Sequence, residues 1–127
     1  EAVNIMEVPR TGEETLADHG SGTVLCQLAD MADPGAREFH IAGRAPMFVI
    51  RAGDRVFGYR NRCPHMGTTL EWKKDTFLTW DLSLIQCSVH GAQFTIEDGL
   101  CVAGPCPGAH LEKVAVRIED GVVMLGA

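Results

Sequence analysis

Four side chains in two short segments could hold a metal. Cys63-Pro64-His65 is separated by 21 residues from Cys87-Ser88-Val89-His90, and each segment offers one thiol and one imidazole. Thiolate favours soft metals such as zinc and iron–sulfur iron, whereas imidazole suits zinc, iron and copper. A single tetrahedral zinc could accept this set. A [2Fe–2S] cluster accepts it more naturally when one iron takes both thiolates and the other takes both imidazoles.

The flanking residues favour the cluster. The first segment continues through Met66-Gly67, and the second through Gly91-Ala92-Gln93-Phe94. A third segment follows, Asp98-Gly99-Leu100-Cys101-Val102-Ala103-Gly104-Pro105-Cys106-Pro107-Gly108. Together these resemble the Rieske family, in particular its small soluble ferredoxins and stand-alone relatives. The resemblance runs from about Thr23 to the C-terminus. It implies Cys63 and Cys87 on an inner iron, His65 and His90 on an outer one, and a proline loop covering the cluster. Gly67 and Gly91 permit close backbone approach beside the ligands. Pro64 and Pro105 stiffen the two approaches. The spacing between ligand segments is somewhat longer than in typical ferredoxin members, so Thr68 to Gln86 reads as a local elaboration.

The resemblance also bears on reduction potential. High-potential respiratory members carry a disulfide between the ligand loops, at positions that here hold Thr68 and Val89. They also direct serine and tyrosine hydroxyls at a cluster sulfide and a ligand thiolate, where this chain has Ala92 and Phe94. Fewer donors stabilise an added electron less, so the expected potential lies at the low end of the family, on the order of −150 mV.

A chain of 127 residues is one domain by length and can bury a core without disulfides. Its net charge of −6 argues against nucleic acid, since phosphate binding needs a basic patch. Acidity would instead steer a carrier toward a basic docking face. No apolar run reaches the length of a membrane span, and no leader-like segment opens the sequence. The first residue is Glu, which leaves processing or trimming open. Of the five cysteines, Cys26, Cys101 and Cys106 remain after the ligand pair and read as buried thiols, with a Cys101–Cys106 bridge possible. A reducing cytoplasm fits this usage. His19, His40 and His110 read as surface or satisfied histidines, Trp72 and Trp80 as core residues, and Lys73-Lys74 as a solvated face.

The elements that must position the ligands read as strands. Thr23–Cys26, Arg37–Ile41, Met47–Arg51, Val56–Arg60, Leu84–Gln86, Val114–Ile118 and Val122–Leu125 are short apolar-rich runs. Gly53-Asp54 marks one hairpin and Asp120-Gly121 another. With 14 glycines and little helical periodicity, the expectation is an all-β domain. The resemblance specifies a Rieske-type antiparallel β-sandwich or barrel with an inserted cluster-binding subdomain at about 61–107. Residues 1–22 read as a flexible N-terminal arm, and 23–127 as the Rieske domain.

The resemblance implies a one-electron carrier between a reductase and a terminal enzyme such as a Rieske-type oxygenase, without a substrate site of its own. The alternatives are a cluster-based redox sensor and a non-redox zinc or scaffold protein on the same fold. A catalytic oxygenase subunit would need a further large domain, and none is expected before the chain stops at Ala127.

The missing hydroxyls give a first test. A hydrogen bond to a charged acceptor is worth about 1.5 kcal/mol or more. If that difference falls between the two redox states, the potential moves by roughly 60 mV. Ala92→Ser should therefore raise the potential by tens of millivolts in protein-film voltammetry. An unchanged value, in a variant whose structure shows the new bond formed, would contradict the argument.

Overall fold

The computed structural model describes residues 15–62, 64, 70, 77–87, 91–104 and 108–126. Among the described residues eleven strands follow one another: β1 Thr15–Leu16, β2 Val24–Gln27, β3 Gly35–Ile41, β4 Met47–Ala52, β5 Arg55–Arg60, β6 Ile85–Gln86, β7 Gln93–Phe94, β8 Cys101–Ala103, β9 Lys113–Val114, β10 Val116–Glu119 and β11 Val122–Leu125. One 3-10 turn, Leu28–Asp30, is the only helical element among the described residues. Among the described residues no helix is long and apolar enough to cross a membrane.

The strands form three sheets. Five strands run in the order β1-β3-β4-β5-β9, three in the order β10-β11-β2, and three in the order β6-β7-β8. All pairings are antiparallel except β1 with β3. Alternation of side chains across a strand assigns the faces. In β3, Gly35, Arg37, Phe39 and Ile41 turn inward while their neighbours are half-buried. In β4, Met47, Phe48, Val49 and Ile50 are all buried, so both faces of this strand are covered.

Two cores result. Met47 and Val49 join Leu25, Phe39, Ile41, Val123 and Leu125 against the β10-β11-β2 sheet. Phe48 and Ile50 join Tyr59, Leu70, Phe77, Ile85, Cys87, Ala92 and Phe94 against the β6-β7-β8 sheet. Phe48 stacks on Phe77 with ring centroids 4.2 Å apart. Phe77 lies on the segment that feeds β6, where its carbonyl accepts from the Gln86 N–H at 2.8 Å.

Both sequence-predicted hairpins are present. β4 and β5 pair from Met47↔Arg60 to Ala52↔Arg55. β10 and β11 pair from Val116↔Leu125 to Glu119↔Val122. Asp120 and Gly121 between them both have positive φ, 52° and 76°, as a type I′ turn requires. The strand expected over Val114–Ile118 is instead divided: β9 pairs with β5, and β10 turns to β11. Gly58 permits this change of sheet. A Cβ there would lie 2.6 Å from the Val114 carbonyl oxygen and 3.0 Å from a Val116 methyl.

Two further expectations change. Of the segment read as a flexible arm, residues 15–22 are fastened to the body. β1 pairs with His40 and Ile41. The Asp18 carboxylate accepts from Arg44 at 2.8 and 3.1 Å, and the Gly22 N–H donates to the Leu125 carbonyl. Residues 1–14 lie outside the described residues. Trp80, expected in the core, is 96% exposed. It stands on a turn in which Asp81 accepts from the Thr79 hydroxyl and from the Ser83 N–H and hydroxyl. Those bonds hold the Asp81 carboxyl below its usual range. Trp72 and Lys73-Lys74 lie outside the described residues. His19 and His110 are exposed, and His40 is half-buried beside Glu38.

Tyr59 ties β5 to the loop before β8, its hydroxyl donating to the Ile96 carbonyl at 2.5 Å. Burial first, then Asp98 and Glu97, push its phenol up to about 12 from 10.0. Burial likewise pushes the Cys26 thiol up to about 11 from 9.0. The folded state therefore keeps both protons more tightly than the unfolded state. The associated stability is complete below about pH 9 and drains as pH rises toward 12. In urea unfolding, Tyr59→Phe should lose about 1 kcal/mol at pH 8, and the gap to the native chain should narrow by pH 11.5. Parallel stability curves across that range would overturn the assignment.

Candidate metal centre

The second ligand segment begins at Cys87, where the β6–β7 ladder ends. β6 and β7 pair through Ile85↔Phe94 and Gln86↔Gln93. The ladder ends where the Cys87 N–H donates to the Ala92 carbonyl at 2.8 Å, and the Gly91 N–H turns back to the Cys87 carbonyl at 3.0 Å. Cys87 is thereby fixed at the edge of a sheet and is only 1% exposed. Gly91 has φ of 71°, which suits a residue closing so short a turn. Ser88, Val89 and His90 lie outside the described residues.

The first segment leaves the end of β5. The Asn61 N–H donates to the Pro46 carbonyl at 2.9 Å. The Asn61 side chain donates through Nδ2 to Glu38 Oε2 at 2.6 Å, and its Oδ1 accepts from the Leu70 N–H at 2.8 Å. Asn61 is 5% exposed and Leu70 is fully buried. Pro64 is exposed; Cys63, His65, Gly67 and Thr68 lie outside the described residues. Leu70, Cys87 and Ala92 share one buried cluster, so the described bases of the two ligand segments meet on a common floor.

The third segment meets the second through β8 and Gly104. β8 pairs with β7, with a register shift between Gln93 and Phe94. The chain leaves β8 at Gly104 and returns at Gly108, whose N–H reaches the Cys101 carbonyl at 3.3 Å. Gly104 has φ of 96°, and a Cβ on it would lie 2.6 Å from the Ala92 Cα. The two loops thus touch backbone to backbone. Pro105 and Cys106 lie outside the described residues. Cys101 is buried, its Sγ donating to the Ala103 carbonyl at 3.2 Å.

This arrangement has close counterparts. A profile of the Rieske [2Fe-2S] domain matches residues 21–118. The chain belongs to the Rieske [2Fe-2S] domain family. Ferredoxin CarAc of Metapseudomonas resinovorans is 28% identical over 99 residues, covering 78% of this chain and 87% of that protein. The Sphingomonas yanoikuyae B1 ferredoxin superposes with a TM-score of 0.68 at 28% identity, covering 84% of this chain and 98% of that one. A chain from the complex of reduced oxygenase and oxidized ferredoxin in carbazole 1,9a-dioxygenase gives 0.68 at 26% identity, covering 81% and 90%.

The fold is thus the all-β Rieske fold, and the cofactor is a Rieske-type [2Fe–2S] cluster. The residues present fit it. Thiolate and imidazole donors in equal number suit one iron of each kind, and the Cys87 backbone is held in the buried floor while Gly91 and Gly104 make the sharp turns around it. Sequence reasoning missed three supports: Asn61, β8, and the contact between Gly104 and Ala92. Only Asn61 carried a signal, as a polar side chain two residues before a candidate ligand cysteine.

The Gly104 contact predicts a graded response. Gly43 also has positive φ, but a Cβ there meets nothing within 4 Å. Gly43→Ala should therefore cost only the left-handed backbone term, about 1 kcal/mol. Gly104→Ala adds a backbone clash and should cost at least about 2 kcal/mol more, with iron lost on purification. Equal melting temperatures and iron contents for the two variants would refute the contact's importance.

Proposed function

We propose that this Rieske protein is a one-electron carrier whose cluster is held by Cys63 and Cys87 on the inner iron and by His65 and His90 on the outer iron. The carrying observation is the near-complete coverage of ferredoxin relatives, 87% of Ferredoxin CarAc and 98% of the Sphingomonas yanoikuyae protein. The two cysteines and two histidines in the pattern Cys-x-His and Cys-x-x-His support the same reading.

When bound, the cluster accepts one electron and returns it. The charges of two ferric ions, two sulfides and two thiolates cancel, so reduction leaves one extra negative charge. The protein's part is to hold the ligands in one geometry in both states. The Cys87–Ala92 ladder end and the Gly104 contact do this for the second loop. The electron comes from a reductase and goes to a terminal enzyme, for which a Rieske-type oxygenase is the best candidate given the likeness to a chain of the oxygenase–ferredoxin complex in carbazole 1,9a-dioxygenase. Such a carrier needs no substrate site of its own. Cytoplasmic residence belongs to the same proposal, and the buried free thiol of Cys26 is compatible with it.

Protein purified from iron-replete cells should contain about two irons and two acid-labile sulfides per chain. Its visible absorption should bleach on uptake of one electron, and the reduced protein should deliver that electron to an oxygenase. His65→Ala and His90→Ala should each abolish the chromophore. One zinc per chain with no sulfide would sink the carrier reading; a full chromophore in either histidine variant would sink the ligand assignment.

A further inference from the structure

One side chain closes the first ligand loop. From Asn61 to Leu70 the chain runs through eight intervening residues, among them Cys63 and His65. Fully extended, such a stretch could reach roughly 30 Å. Here its two ends are joined by a hydrogen bond from the Leu70 N–H to Asn61 Oδ1 at 2.8 Å. We infer that Asn61 is a positioning residue for the cluster, a clamp at the base of the first ligand loop with Glu38 as its anchor. This rests on the reading of Cys63 and His65 as ligands.

The amide is required for its two ends. Oδ1 accepts from Leu70, which leaves Nδ2 to donate, and Glu38 Oε2 receives it at 2.6 Å. Glu38 sits on β3 with its side chain 12% exposed, and His40 Nε2 lies 3.3 Å from its other oxygen. The main chain of Asn61 is itself held by Pro46, at the foot of β4. The clamp therefore transmits the position of two sheet strands to the loop. Asn61 and Leu70 are both buried, so water cannot readily replace either partner. Losing the acceptor would strand a buried N–H, which is destabilising beyond the lost bond itself. An aspartate would keep the acceptor for Leu70 but would lose the donor and set a second carboxylate against Glu38. The pair could, however, be exchanged. With Asn61→Asp and Glu38→Gln together, residue 38 donates and residue 61 accepts from both sides.

The test uses the iron-loaded chain and reads the rate of chromophore loss in excess chelator, the reduced-state EPR spectrum, and hydrogen exchange of the Leu70 amide. Asn61→Ala and Asn61→Asp should each lose the chromophore about tenfold faster or more, the size expected for one buried hydrogen bond. They should broaden the EPR lines and accelerate Leu70 exchange. The double exchange of Asn61→Asp with Glu38→Gln should recover most of the loss seen in Asn61→Asp. If Asn61→Ala does not fold, the Asp variant and the exchange decide. Native behaviour of Asn61→Asp, or failure of the double exchange to recover, would overturn the clamp. If the native chain binds no iron and sulfide, the carrier reading fails instead, and unaltered Leu70 exchange in the variants would then overturn the clamp separately.

Discussion

Met47, Phe48, Val49 and Ile50 are consecutive and all buried, so β4 must be packed from both sides. An antiparallel strand more often keeps one face in water. Here the period of two sends Phe48 and Ile50 into one core and Met47 and Val49 into the other. Each buried side chain of this size stabilises by about 1.5–3 kcal/mol. Neither outer sheet could therefore be removed without exposing half of the central strand. The three-sheet architecture follows from that requirement. So does the placement of the metal centre, because the core on the Phe48 side includes Leu70, Cys87 and Ala92. The floor of the site is the same apolar cluster that holds the small sheet to the large one.

Loops that bind a cluster cannot be regular strands, yet they must not wander. In this chain regular structure ends immediately beside the candidate ligand positions Cys63 and Cys87. The β6–β7 ladder carries pairing up to Cys87 and Ala92. The loop after β8 rests on Ala92 through Gly104. The first loop begins one residue after β5 ends at Arg60 and is met by Asn61. Hydrogen bonds at the base of a loop lower the entropy that holding its ends in place costs. For an electron carrier that is useful, since a preorganised site reorganises little when charge arrives.

The parts of this fold that were legible in the sequence are those where local pattern and tertiary role coincide. β3, β4 and β5 are six or seven residues long and rich in branched or aromatic side chains, and their turns carry glycine. β10 and β11 flank Asp120-Gly121, whose turn preference is intrinsic. β1, β7 and β8 are two or three residues each, too short for any period to register. The division between β9 and β10 was hidden for another reason. It depends on Gly58, distant in sequence, allowing Val114 and Val116 to approach within contact. Trp80 marks the limit of hydrophobicity as a guide: its turn is built by Thr79, Asp81 and Ser83, and that polar frame holds the indole in water. At the metal centre, donor types and spacing named the candidate ligands at once, because metal chemistry narrows the choice of residue. The supports around them were silent, since a buried amide or a close glycine is recognised only by what it touches.

Position 92 joins two constraints that would otherwise look separate. The side chain there is a methyl group, and the low potential expected of this protein follows in part from that absence of a hydroxyl donor. Gly104 approaches the same residue: the Ala92 Cα, N and Cβ are the three atoms nearest to where a Cβ on Gly104 would stand. Ala92 is fully buried, as is Phe94 two residues along β7. A larger side chain at 92 would have to displace packed neighbours, and interiors resist added volume. The choice at this position is thus confined to small residues, among which alanine and serine differ by one hydroxyl. Electron affinity can therefore be adjusted here while the closure of the loop is kept. At Phe94 the corresponding change adds a hydroxyl to a ring already in the core, and that hydroxyl would need a partner before it could be accommodated.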